Sequence, residues 1–241
     1  ILEVLETALG FPVDIEFAYA GDIQTPYLLQ CRPQSYGVSR SSVSIPTGVP
    51  QSDQLFTANR FVTDGLAEEI EYIVFVDPME YDLLQGMEDL IEVGRAVGTL
   101  NKKLPARRFI LMGPGRWGSR GDIKLGVRVG YSDINNTAVL VEMAFTKRGY
   151  VPELSFGTHF FQDLVEAGIK YLPLYPDDPS TFFNREFFTL SHNQLKRLIP
   201  EARHLEKVLK VIRVQREVPE ANVSVVMNGE QDLAMGYIKR L

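Results

Sequence analysis

Sulfur and histidine are scarce in this chain. Among 241 residues Cys31 is the single cysteine, and His159, His192 and His204 are the three histidines. One cysteine excludes an internal disulfide framework and fits a reducing, cytoplasmic setting. No Cys/His spacing suits zinc, and neither GxSxG nor HExxH occurs, so zinc-hydrolase and serine-hydrolase chemistry lack their signatures. Positive charge is also in deficit, with 25 Lys and Arg against 31 Asp and Glu. Broad nucleic-acid binding wants a basic face that displaces counterions, and this balance argues against it. No apolar run approaches the roughly 20 residues that span a bilayer, so no membrane partner is expected. The chain begins at Ile1 inside a helical pattern and reads as an excised piece of a longer protein.

What is present is ample core material. Hydrophobic residues make up 45% of the chain, enough for one large domain or two modest ones. Leu2, Leu5 and Leu9 keep helical spacing until Gly10 stops the run. From 13 to 19 the residues alternate, with Val13, Ile15, Phe17 and Tyr19 on the apolar side, which predicts a half-buried strand. YLLQCR (27–32) predicts its hairpin partner, closed by Pro33. Residues 37–60 are rich in Ser, Gly, Pro and Gln and predict a linker. Beyond it, 72–77, 109–114, 139–145 and 171–175 read as buried strands, and 80–101 as one long amphipathic helix. A short helix is expected over 159–168, with final strands at 208–214 and 222–227. The alternation of strands and helices indicates a mixed α/β class.

The hairpin carries the first chemistry. Residues two apart on a strand share a face, so Asp14 and Glu16 point the same way, and so do Gln30 and Arg32. A turn centred near Ile23 sets Glu16 opposite Gln30 and Asp14 opposite Arg32. Carboxylate and amide oxygens suit Mg²⁺, and a guanidinium suits phosphate. PVDIEFAY followed by YLLQCRPQS, within residues 10–35, resembles the end of the ATP-grasp domain in phosphoenolpyruvate synthases and pyruvate phosphate dikinases. The resemblance implies ATP and Mg²⁺ as cofactors. Glu16 and Gln30 would then be metal-associated, and Arg32 would face the ATP phosphates. It also implies an ATP-dependent phosphotransferase as the parent, with pyruvate or a similar small molecule as acceptor. The preceding part of the ATP-grasp domain would be its partner, and 61–241 a separate α/β domain, swivelling-domain-like in one reading. A noncatalytic regulatory or interaction domain is the alternative for that region, and the isolated chain is expected to be inactive.

Two further motifs stand out. Gly157-Thr158-His159 places a histidine at a helix start, where free amides and the helix dipole favour negative charge and a neutral, nucleophilic ring. The same family carries phosphate on a histidine in a motif similar to this one, with a glycine nine residues on, here Gly168. The chain departs from that motif: Phe160-Phe161 stand where the family has two alanines, and no arginine follows. His159 is therefore either a phosphohistidine carrier or an ordinary helix-start residue. FILMGPGRWGSRGD (109–122) runs from a strand into a glycine-rich loop. Gly113 and Gly115 could bring amides close to an anion, with Arg116 and Arg120 pairing to phosphate; a tight structural turn is the other reading. It lacks the G-K-[ST] of a P-loop. This loop and the GTHFFQ stretch also resemble a C-terminal extension in some phosphoenolpyruvate-synthase-like proteins.

Overall fold

The computed structural model describes residues 1–10, 13–19, 26–33, 43–118, 126–146 and 151–241. The chain divides into two compact units, Ile1–Val38 and Ser39–Leu241. The class is mixed α/β, with three sheets and several helices.

In the first unit α1 (Leu2–Leu9) ends at Gly10, whose left-handed conformation turns the chain. β1 (Val13–Tyr19) and β2 (Pro26–Pro33) then form an antiparallel hairpin. Its register sets Asp14 against Arg32 and Glu16 against Gln30. Between Glu16 and Phe17 the register shifts, because Phe17 pairs with Leu28 and Leu29 becomes an extra residue. The apolar alternation of β1 predicts one buried face, and only part of it is covered. Val13 is buried and Ile15 half-buried, whereas Phe17 and Tyr19 are exposed. A two-stranded hairpin has a single neighbour for each strand and can shield little of either face.

The second unit opens with β3 (Gln54–Ala58), inside the stretch expected to be linker. Its burial pattern shows why the composition misled: Leu55, Phe56 and Ala58 are buried between polar neighbours. There follow β4 (Gly65–Ile70), β5 (Tyr72–Val76), α2 (Pro78–Asp82), α3 (Met87–Lys103), β6 (Phe109–Pro114) and β7 (Val139–Met143). The chain continues through α4 (His159–Glu166), β8 (Lys170–Leu174), α5 (Arg185–Leu190) and α6 (Leu195–Leu198). It closes with β9 (Leu209–Arg213), α7 (Val214–Glu217), β10 (Ala221–Asn228) and β11 (Leu233–Arg240). The long helix expected over 80–101 is two helices. Asp77 caps α2 by accepting from the Met79 and Glu80 amides, and Gly86 in extended conformation restarts the chain as α3. Glu88 and Asp89 then lie in the first turn of α3, where the helix dipole favours them.

β5, β6, β7 and β8 are parallel and adjacent, and β9 pairs antiparallel with β5, giving the order β8-β7-β6-β5-β9. The second sheet, in the order β3-β11-β10-β4, is antiparallel throughout. Period-two alternation divides the five-stranded sheet between two cores. Val74, Leu111, Leu140 and Tyr171 pack with Val93, Val97 and Leu100 of α3 and Leu164 of α4. Ile73, Phe75, Ile110, Met112 and Val141 pack with Leu55, Phe56, Val223 and Val225 of the other sheet. Each such aliphatic side chain removed from water contributes about 1.5–3 kcal/mol. Both faces are covered, as parallel strands require. Among the described residues no helix is long and apolar enough to cross a membrane.

Candidate functional site

Open parallel sheets present their loops at the carboxyl ends of the strands, where ligands bind in such folds. Three segments meet near that edge: the glycine-rich loop after β6, the stretch that leads into α4, and β8. One residue joins them. Glu142, next to last in β7, is fully buried on the helix-facing side. Its Oε1 accepts from the Trp117 amide (2.7 Å) and from Ser155 Oγ (2.6 Å). Its Oε2 accepts from the Ser155 amide (2.6 Å) and from the Tyr171 hydroxyl (2.8 Å). Burial pushes the Glu142 carboxyl up to about 7, and the four donors oppose that rise. Burial also raises the Tyr171 hydroxyl, and the charge of Glu142 raises it further.

The described part of the glycine-rich loop packs around this carboxylate. The Trp117 amide is aimed inward at Glu142, and the Gly115 amide donates to the Met143 carbonyl (2.8 Å). A Cβ on Gly113 would lie 2.8 Å from Val76 Cβ and 2.9 Å from Trp117 Cζ2, so this glycine makes room for the buried indole. Gly118, at φ +70°, packs so closely on Phe160 of α4 that a Cβ there would stand 2.5 Å from its ring. Gly115 bridges Gly126, whose carbonyl accepts from the buried Tyr81 hydroxyl (2.9 Å). Trp117 is fully buried, so its ring is not a stacking platform. The Gly115 and Trp117 amides are committed to protein acceptors. Arg116 is half-exposed, while Arg120 lies outside the described residues.

His159 is the first residue of α4 and is exposed. Thr158 caps the helix, its Oγ1 accepting from the Phe161 amide (3.3 Å). The aromatic residues beside it form a chain of contacts. Phe161 meets Tyr171 edge-on at 5.2 Å and Phe156 at 5.0 Å, and Phe156 meets Phe61 at 5.1 Å. Phe160 and Phe161 thus face inward while the imidazole stays at the surface. The other two histidines pair with carboxylates: His192 with Glu217 (3.1 Å) and His204 with Glu92 (2.7 Å).

On the hairpin the four polar residues stand as two cross-strand pairs. Gln30 and Arg32 are half-buried, and Asp14 and Glu16 exposed. In the amide orientation that pairs with Arg32, the Gln30 oxygen accepts from the guanidinium Nη2 (2.7 Å) and Nε.

Sequence reasoning missed Glu142, Ser155 and Tyr171. A carboxylate in the otherwise apolar run VLVEMAF was the available signal, since a charge in a buried strand requires compensation. Comparison of the chain with protein-family models, with curated proteins and with solved structures found no match.

Proposed function

We propose that the first unit is the closing hairpin of an ATP-grasp module. Glu16 and Gln30 hold Mg²⁺ there, and Arg32 faces the phosphates, in an ATP-dependent phosphotransferase of the phosphoenolpyruvate synthase type. The single observation that carries this reading is the register, which pairs Glu16 with Gln30 and Asp14 with Arg32. Two hard-oxygen side chains and one forked donor are thereby brought together, a set that suits a metal-bound polyphosphate. In this reading His159 carries the phosphoryl group. Its imidazole nitrogen attacks phosphorus, the bond to the leaving phosphate oxygen breaks, and the ring proton passes to solvent. The exposure of His159 at the start of α4 supports it.

A second reading has its own observation. The Gly115 and Trp117 amides are spent on Met143 and Glu142, which favours a noncatalytic regulatory or interaction role for the second unit. The two separate in one experiment. The protein that contains this chain is incubated with Mg²⁺ and ATP labelled in the β or γ position. The carrier reading expects acid-labile, base-stable label that disappears in His159→Ala. Label that persists in this variant removes His159 as the carrier. Wild-type protein that takes no label, while Glu16→Gln leaves Mg-ATP affinity unchanged, removes the phosphotransferase reading.

A further inference from the structure

The chain is acidic overall, yet between 194 and 216 it carries seven Lys or Arg against two Glu. The fold gathers part of that charge into one place. β9 runs antiparallel to β5, so Arg213 at its end pairs with Tyr72 at the beginning of β5. That is the amino edge of the parallel strands, the end of the sheet opposite Glu142. There α6, the end of β9 and α7 surround an open pocket of about 470 Å³, lined by Gln194, Arg197, Arg213, Gln215 and Arg216.

Three properties of this pocket point to a ligand. Its charged lining is entirely cationic. Among the described residues the exposed ion pairs include Arg60 with Asp178, Arg95 with Glu88 and Arg240 with Asp53, but none involves Arg197, Arg213 or Arg216. Glu217, the carboxylate beside Arg216 in sequence, is engaged by His192 instead. Gln194 is 4% exposed, so a fixed amide rather than a mobile surface side chain belongs to the lining. Its backbone is held by the Val211 carbonyl (2.8 Å), which ties α6 to β9.

We propose that this pocket binds a pyrophosphoryl group. Each guanidinium offers a planar fork to two oxygens, so three forks exceed what one phosphate monoester can accept and match two linked phosphates. No aromatic side chain lines the pocket, so a nucleobase gains nothing there. Free pyrophosphate and the diphosphate of a nucleotide share the recognised chemistry. This site is independent of the hairpin and of His159.

The test is calorimetric titration of the full chain with inorganic pyrophosphate, ADP, inorganic phosphate and citrate at 0.15 M salt. The expected result is saturable one-to-one binding of pyrophosphate, with ADP equal to it and phosphate and citrate weaker. Arg197→Gln, Arg213→Gln and Arg216→Gln should each weaken pyrophosphate about tenfold or more. Arg95→Gln, on another surface, should leave it unchanged. These arginines are exposed, so an unaltered melting temperature shows that the fold is kept. Pyrophosphate binding that is absent at millimolar concentration, or equal in all the variants, overturns the proposal. So does tighter binding of citrate. Affinity that instead rises steadily with the length of a single-stranded oligonucleotide assigns the arginines to a polymer and overturns it as well.

Discussion

Replacing Glu142 by Gln tests the account of the carboxyl edge more sharply than any deletion. The two side chains have the same shape, so packing is preserved and only protons and charge change. Glu142 accepts two backbone N–H groups, one on each oxygen, from Trp117 and Ser155. A glutamine can turn its oxygen toward one of them and must then point its own N–H₂ at the other. One buried amide is left without an acceptor, which costs about 1–3 kcal/mol. The hydroxyls of Ser155 and Tyr171 can rotate and soften the loss, whereas the backbone cannot. The pH dependence adds a second signature. The carboxyl titrates near 7 when folded, against an ordinary 4.5, so the folded state holds this proton more tightly than the unfolded chain. Stability from this group is therefore greatest at low pH and falls as pH rises from 4.5 through 7. Integrated from pH 5.5 to 8.5, the loss is about 2 kcal/mol. Urea denaturation of wild type and Glu142→Gln at both pH values reads it directly. The variant should be less stable at pH 5.5, and the gap should close by about 2 kcal/mol at pH 8.5. Parallel pH profiles would refute the raised carboxyl, and equal stability at pH 5.5 would refute the orphaned amide.

Other substitutions probe the scaffold around that edge. A Cβ on Gly94 of α3 would stand 2.2 Å from the Arg128 carbonyl oxygen, and both partners are main chain. Gly94→Ala should therefore cost about 3 kcal/mol in chemical denaturation, the upper end for overpacking. Gly118→Ala combines φ +70° with a Cβ 2.5 Å from Phe160, so a loss of about 2 kcal/mol is expected, read as a lower melting temperature. Removing the α2 cap with Asp77→Ala orphans the Met79 and Glu80 amides and should cost about 1 kcal/mol by the same measurement. Leu100 of α3 is fully buried, so Leu100→Ala should lose about 2–5 kcal/mol, and a loss under 1 kcal/mol would contradict its place in the core.

The hairpin strands and those of the five-stranded sheet were legible because their signal is local, whereas β3, β4 and β11 of the other sheet were not. Alternation along 13–19 and the unbroken apolar runs at 72–76, 109–112 and 139–141 report burial on one face or on both, and each became a strand. The hairpin register was legible too, since a turn near Ile23 fixes which residues oppose each other, and Glu16 does meet Gln30. Where a second element decides, local reading failed. LAMGYIKR contains Gly236 in mid-strand, which lowers its strand signal. In β11 that glycine clears space for the Phe56 ring of β3, roughly 180 positions earlier in sequence. The stripe over 80–101 kept a helical period across Gly86, and only the end of α2 at Asp82 and the extended backbone at Gly86 before α3 revealed the break.

Sequence alone determined the class, the two strands of the hairpin, the strands of the five-stranded sheet and the polar face of the hairpin, because side-chain period and turn position are properties of neighbours. Tertiary structure alone decided that Trp117, Ser155 and Tyr171 converge on Glu142. It alone brought Arg197, Arg213 and Arg216 around one pocket. Those residues come from different strands, helices and loops, and their chemistry exists only once pairing within the five-stranded sheet, parallel and antiparallel, has set distant segments side by side.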